Sequence, residues 1–139
     1  VGLIQLIKRR SIFKVDADIM ILGVYFAVVI LAYVIFEIIP INYRPILIEG
    51  RMEASYPSST TLLVLSVMPV FIEQIQRRLS GDVAKRIITI VSLAFSGFMV
   101  IGRLIAGVHW FTDIVGGVLL STALVLIYKA TVMLVIKEK

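Results

Sequence analysis

Apolar residues fall in long unbroken runs rather than in the short periodic stripes of a water-soluble chain. Ile19 to Ile39 is apolar for about 21 residues and is interrupted only by Glu37 near its end, which matches the roughly 20 residues a helix needs to cross a hydrocarbon core. Pro40, Pro45, Gly50 and Pro57 then punctuate a mixed segment that cannot continue a helix at membrane depth and reads as a loop. A second run begins at Ser58, behind Pro57 and a cluster of hydroxyl residues suited to a helix start, and reaches about 76 with Pro69 and Glu73 inside it. A polar linker, Arg77 to Arg86, leads to a third run over about 87–107, and a fourth covers about 110–136. The pattern predicts an all-α, polytopic transmembrane helical bundle of four spans, about 19–39, 58–76, 87–107 and 110–136, in a single domain covering 1–139. Lys129, inside the fourth run, is expected to snorkel or to face the bundle.

Composition agrees with lipid as the solvent. Of the 139 residues, 60% are hydrophobic and 17% charged, with a mean hydropathy of +1.03; a soluble domain is about 45–50% apolar and about 25% charged. The net charge of +5 would suggest nucleic acid in a soluble chain, but here the cations cluster between apolar runs. Lys8, Arg9, Arg10, Lys14, Arg77, Arg78, Lys85, Arg86, Lys137 and Lys139 all fall on one side of an alternating four-span path, against Arg44, Arg51 and Arg103 on the other. The positive-inside rule makes the first side cytoplasmic and puts the segment from Glu37 to Pro57 and the junction from Arg103 to Asp113 outside. Nucleic acid is not an expected partner; membrane lipids are. The chain has no cysteine, hence no disulfide, thiolate metal site or cysteine nucleophile. It begins at Val1, and its first ten residues, ending in Lys8-Arg9-Arg10, look like the tail of an earlier helix.

The residues suited to chemistry gather on the outer side. His109, the one histidine, stands four residues before Asp113, so that a helix would put both on one face. A carboxylate can fix the imidazole tautomer and leave the far nitrogen as base, nucleophile or ligand; an interhelical polar clamp has the same signature. Two such ligands without cysteine or a second histidine fall short of a metal set. Arg103 is costly at the end of a span unless it meets an anion, a carboxylate or water. Arg44 lies in the other outer segment, and Ser58, Ser59 and Thr60 open the second span, where free N–H groups and the helix dipole favour an anion. Together they make a phosphate site with a nucleophile. Equally, the arginines could pair with Glu37, Glu49 or Glu53, and Ser58 could be only an N-cap.

The order Arg44-Pro45, Pro57-Ser58, then Arg103-x5-His109-x3-Asp113 before Gly116-Gly117 resembles the type 2 phosphatidic acid phosphatase superfamily, whose motifs read K-x6-R-P, P-S-G-H and S-R-x5-H-x3-D. Vanadium haloperoxidases share these motifs but are soluble, unlike a chain of this composition. The resemblance implies a six-helix membrane fold, of which this chain would carry the last four helices, N-terminally truncated, and no metal or cofactor. It further implies that His109 attacks phosphorus and forms a phosphohistidine, that Asp113 orients its ring, and that Arg44, Arg103 and Ser58 hold the phosphoryl oxygens, with Ser59 and Thr60 beside them.

Four positions depart from the motifs. The lysine is Glu37, the glycine Ser59, the general-acid histidine Thr60, and the serine before the motif arginine Gly102. Glu37 weakens phosphate binding unless it turns away or Arg51 compensates, and a threonine hydroxyl is a far weaker acid than an imidazolium.

The implied function is hydrolysis of a lipid diphosphate or monophosphate, polyprenyl diphosphate favoured, at the outer face of a bacterial cell membrane. A lipid-phosphate-binding protein with an impaired site, or a structural membrane protein, is the alternative. Gly23-x3-Ala27 and Gly117-x3-Ser121 suit close helix packing in each case, and homo-oligomerisation is left open.

Overall fold

The computed structural model describes residues 17–137; the expected helix tail at the N-terminus and four of the ten inner-side cations, Lys8 to Lys14, lie outside them, as does Lys139. Four helices follow one another: α1 (Ala17–Ile38), α2 (Ser59–Arg78), α3 (Asp82–Ile105) and α4 (Phe111–Lys137). All four are long and apolar enough to cross a membrane, and the fold is an all-α bundle. α3 starts at Asp82, ahead of the apolar run at Ile87, because Gly81 at φ 118° breaks the chain just before it and Asp82 sits favourably in its first turn. Its far end comes earlier than expected, at Ile105, where Gly107 adopts φ 64°.

The helices are sorted inside out by the standards of water. α3 buries Ser92 and Ser96 while Val91, Phe95, Phe98 and Ile105 are exposed. Lipid tails are as apolar as leucine, so nothing drives large apolar side chains inward; small residues that let backbones approach are what the interfaces collect. α2 is the central helix, packed against α3 and α4, and α1 packs mainly on α4. The apolar core lies between α1, α2 and α4, from Tyr25, Val29, Val70, Val125, Tyr128 and Val132. In the turn before Pro69, which removes an amide from the α2 ladder, the Tyr25 hydroxyl donates to the Ser66 carbonyl at 2.9 Å.

The charges of α2 are paired. Glu73 pairs with Arg77 at 2.7 Å, and Arg78 bridges from α2 to Asp18 of α1 while donating to Gln74 at 2.8 Å. Lys129 is exposed on the outside of the bundle and does not face inward, which leaves snorkelling as its means of keeping its charge wet.

One expected packing motif is absent and the other is present. Gly23 and Ala27 are exposed, and a Cβ at Gly23 would meet nothing within 4 Å. At Gly117 a Cβ would lie 3.0 Å from the Thr61 side chain and 3.2 Å from the Ser58 carbonyl, and Ser121 is fully buried. Gly116 is tighter still, since a Cβ there would fall on the Tyr56 ring, 2.6 Å from its Cζ. Gly116→Ala is therefore expected to cost about 1–3 kcal/mol, as overpacking does, read as a lower midpoint of unfolding in detergent. An unchanged midpoint would mean that Tyr56 is free to move away.

Candidate active site

Because successive helices run antiparallel, the segment between α1 and α2 and the junction between α3 and α4 come to the same end of the bundle. The first of these folds back on itself. Tyr43 pairs with Ala54 and Ile48 with Arg51 in isolated antiparallel bridges, with Glu49 (φ 49°) and Gly50 (φ 75°) at the turn. Backbone bonds from Arg44 to the Glu53 carbonyl at 3.1 Å and from Ser55 to the Asn42 carbonyl at 2.8 Å close the hairpin-like loop. A cis peptide bond joins Tyr56 to Pro57 just before α2. The junction is tied to this loop by Trp110, whose indole Nε1 donates to the Tyr43 carbonyl at 2.9 Å.

His109 lies in the junction two residues before α4, rather than on its face as the spacing predicts, whereas Asp113 is in its first turn; both are buried. Asp113 acts as the reaching-back carboxylate of a helix cap: its Oδ2 accepts from the Trp110 backbone N–H at 2.9 Å, and the Asp113 N–H donates to the Trp110 carbonyl at 3.0 Å. The same Oδ2 accepts from the Ser55 hydroxyl, and Oδ1 is buried without a hydrogen-bond partner. The i, i+4 spacing does bring carboxylate and imidazole together, at 3.7 Å from Oδ2 to Nδ1. That is too long for a hydrogen bond. The direct hold of Asp113 on the ring, expected from spacing, is replaced by Ser55, whose carbonyl and Oγ lie 3.1 Å and 3.2 Å from Nδ1.

On the other side of the ring, Arg44 Nη1 stands 3.4 Å from His109 Nε2. Of the three glutamates open to Arg44, the structure selects Glu53, with Oε2 3.1 Å from Nε. Arg103, in the last turn of α3, is close enough for its charge to act on His109, and among the described residues it has no carboxylate partner. The imidazole is pushed below its usual pKa, first by burial and then by the Arg44 guanidinium, with a smaller push from Arg103; the Asp113 carboxylate and the Ser55 carbonyl act the other way. A lowered value keeps the ring neutral down to a lower pH, so the nucleophilic form dominates at neutral pH.

The three hydroxyl residues at the start of α2 go to different places. Ser58 is fully buried, its hydroxyl accepting from Thr61 at 3.1 Å and its N–H donating to the Asp113 carbonyl at 2.9 Å. It is the N-cap residue by position, but its side chain makes no capping hydrogen bond. In this arrangement it pins α2 to α4 and does not open towards a ligand. Ser59 lines a cavity with His109, Glu37, Tyr33, Phe36, Tyr56 and Leu62. Thr60 borders a different groove, with Phe95 and Met99 of α3, one helical turn from Arg103. Glu37 thus does not turn away from the site, and Arg51 does not offset it: Arg51 is exposed at the tip of the hairpin.

Ser55 is the residue that spacing did not single out. Its signal is faint, a serine two positions before Pro57 in a loop with several hydroxyl residues. Among the described residues no three His, Cys, Asp or Glu side chains form a metal-ligating group.

An imidazole whose Nε2 faces the Arg44 guanidinium, with the Arg103 charge within reach and the start of α2 lining the same cavity through Ser59, is suited to receiving a phosphoryl group. No curated protein and no solved structure gives a significant match to the chain. The family model of the PAP2 superfamily does match, over residues 13–136, a stretch that holds all four membrane helices almost to the end of α4 and every residue of this site, and the chain accordingly belongs to the PAP2 superfamily, whose members are phosphatases of phosphorylated substrates, often lipids.

Proposed function

We propose that this integral membrane protein hydrolyses a lipid phosphate through a phosphohistidine at His109, with polyprenyl diphosphates as the favoured class. The observation that carries this reading is the pairing of His109 Nε2 with Arg44 Nη1 at 3.4 Å. A guanidinium there donates to the lone pair in the resting site and is ready to grip a phosphoryl oxygen once substrate separates the two. Arg103 supplies a second charge, and the first N–H groups of α2, beside Ser59, lack intrahelical acceptors.

In the reaction the Nε2 lone pair bonds to phosphorus as the bond from phosphorus to the leaving oxygen breaks. Charge on the equatorial oxygens is spread over Arg44 and Arg103. Water then attacks the phosphohistidine, the P–N bond breaks and inorganic phosphate departs. Little covalent work falls to the protein beyond positioning and charge stabilisation, which is how phosphoryl transfer is generally catalysed. Asp113 and Ser55 hold the ring through both steps.

The test is release of inorganic phosphate from a panel of polyprenyl diphosphates and lipid monophosphates in vesicles. Glu37 favours a second reading, a relative that binds lipid phosphate without turning it over, because its carboxylate lines the same cavity as His109 and repels a phosphate dianion. Binding of the lipids with no phosphate release would favour that reading over hydrolysis.

The site faces outward in this proposal, on the strength of the ten-to-three division of basic residues. Glu49, at the hairpin tip, and Asp82, at the start of α3, are both exposed at opposite ends of the bundle. Single cysteines at these positions in the otherwise cysteine-free chain should react from opposite sides of sealed vesicles or cells, with position 49 reached from outside. Reaction of position 49 from the cytoplasmic side alone would reverse the orientation, and with it the substrate leaflet.

A further inference from the structure

We propose that Ser55 is the positioning residue of His109, accepting the Nδ1 proton on its own oxygens and linking the Asp113 carboxylate to the ring. This role rests on the phosphohistidine reading only for its catalytic consequence; its structural part is independent of turnover.

The argument follows the protons. A serine hydroxyl has one proton, and that of Ser55 is directed to Asp113 Oδ2. What Ser55 then turns towards Nδ1 is acceptor only, a carbonyl oxygen at 3.1 Å and the hydroxyl lone pairs at 3.2 Å. Two acceptors on one ring nitrogen require that nitrogen to carry hydrogen. The neutral ring is thereby held as the Nδ1–H tautomer, and the lone pair is on Nε2, the atom facing Arg44. Asp113 cannot impose this directly from 3.7 Å, and its Oδ2 already accepts two hydrogen bonds, from Ser55 and from the Trp110 N–H.

Ser55 is itself immobilised. It is 1% exposed, its N–H donates to the Asn42 carbonyl at 2.8 Å, and the loop carrying it is fastened to the junction by Trp110. The hairpin-like loop between α1 and α2 therefore aims His109, in the junction before α4, through one side chain and one carbonyl. The charged groups around the ring are Arg44 on this loop, Arg103 on α3 and Asp113 on α4, with Glu37 of α1 on the shared cavity; α2 contributes Ser59, which has no charge.

Because His109 is the one histidine in the sequence, selective 15N-histidine labelling of the full chain in nanodiscs reports this ring alone. The wild-type spectrum should show a protonated Nδ1 and an unprotonated Nε2. Asp113→Asn should keep that tautomer, since the acceptors on Nδ1 belong to Ser55. Ser55→Ala keeps the main-chain carbonyl on Nδ1 and frees the Asp113 carboxylate to close on the same atom, so the Nδ1–H tautomer should persist while the ring titrates at higher pH. In turnover, Ser55→Ala should lower kcat about 10-fold with KM changed less than about twofold, and move the acid limb of kcat/KM upward, because a ring that protonates at higher pH loses its nucleophilic form sooner as pH falls. Ser55→Thr, which keeps the hydroxyl, should recover titration and limb together.

An Nε2–H tautomer in the wild type would overturn the proposal, as would a flip caused by Asp113→Asn or an unaltered titration in Ser55→Ala. If Ser55→Ala does not fold, the wild-type and Asp113→Asn spectra decide alone. A chain with the Nδ1–H tautomer that releases no phosphate would sink the hydrolase reading and leave the positioning role standing.

Discussion

Replacing His109 with alanine should reduce phosphate release by at least about 10⁴-fold, because the side chain removed is the attacking atom's own carrier and no second imidazole exists in the chain to substitute for it. The fold should survive, since the ring contributes only the Ser55 and Arg44 contacts to the junction, while Trp110 and Asp113 keep it attached through bonds of their own. Circular dichroism and lipid binding by the variant separate loss of chemistry from loss of structure. Rapid quenching of the wild type with a 32P-labelled lipid should trap an acid-labile, base-stable phosphoenzyme that the variant lacks. A His109→Ala protein with near-native turnover would remove the phosphohistidine mechanism. Arg103→Lys should also be damaging, as an ammonium does not reproduce the planar two-point grip of a guanidinium on phosphate. Asp113→Asn should slow turnover without moving the tautomer, so its effect belongs to the imidazolium charge that it no longer offsets.

The second large effect is expected in the choice of substrate, and it arises from Thr60. Expelling an alkoxide from a phosphomonoester requires a proton as the bond breaks; a diphosphate expels a phosphate, whose relevant pKa near 6 lets it leave as an anion at neutral pH. General acid catalysis contributes typically about 10²–10⁴-fold, so a site with threonine where the motif has histidine should turn over lipid diphosphates faster than phosphatidic acid by a factor of that order. Thr60 borders the groove shared with Phe95 and Met99 rather than the cavity of His109 and Ser59. Thr60→His should raise monoester turnover more than diphosphate turnover. A wild-type preference for phosphatidic acid would defeat the expectation, and equal gains on both substrates would show that the proton comes from elsewhere.

Ser59 and Glu37 bear on the same question from the cavity side. Both line it with His109, and a carboxylate there disfavours a phosphate dianion. The arginines are differently placed to respond. Arg44 is engaged by Glu53 at 3.1 Å through Nε and offers Nη1 to the site, whereas Arg103 has no carboxylate partner among the described residues.

Hydropathy and helix geometry were enough for the architecture. Long apolar runs specify helical spans because within hydrocarbon a single segment satisfies its own backbone hydrogen bonds only as a helix. The expected helical face for His109 and Asp113 does not form, because α4 begins at Phe111 and leaves His109 in the junction; the two still lie near each other, since Asp113 in the first turn reaches back over the chain that enters the helix. What lay beyond the chain's local pattern was every contact made across long separations. Ser55 meets Asp113 from 58 positions away and Arg44 meets His109 from 65 away, through a hairpin-like loop whose shape depends on Trp110 of another segment. The choice of Glu53 over Glu37 and Glu49 for Arg44, the sealing of Ser58 between α2 and α4, and the divergence of Ser59 from Thr60 depend on the same thing. Side chains of one type and one spacing become ligand, cap or structural pin according to which neighbouring helix covers them, and coverage is a property of the packed bundle. Gly23 and Gly117 make the point in small: both stand in small-x3-small motifs, and only the one that packing sets against Thr61 and Ser58 lies at a helix contact.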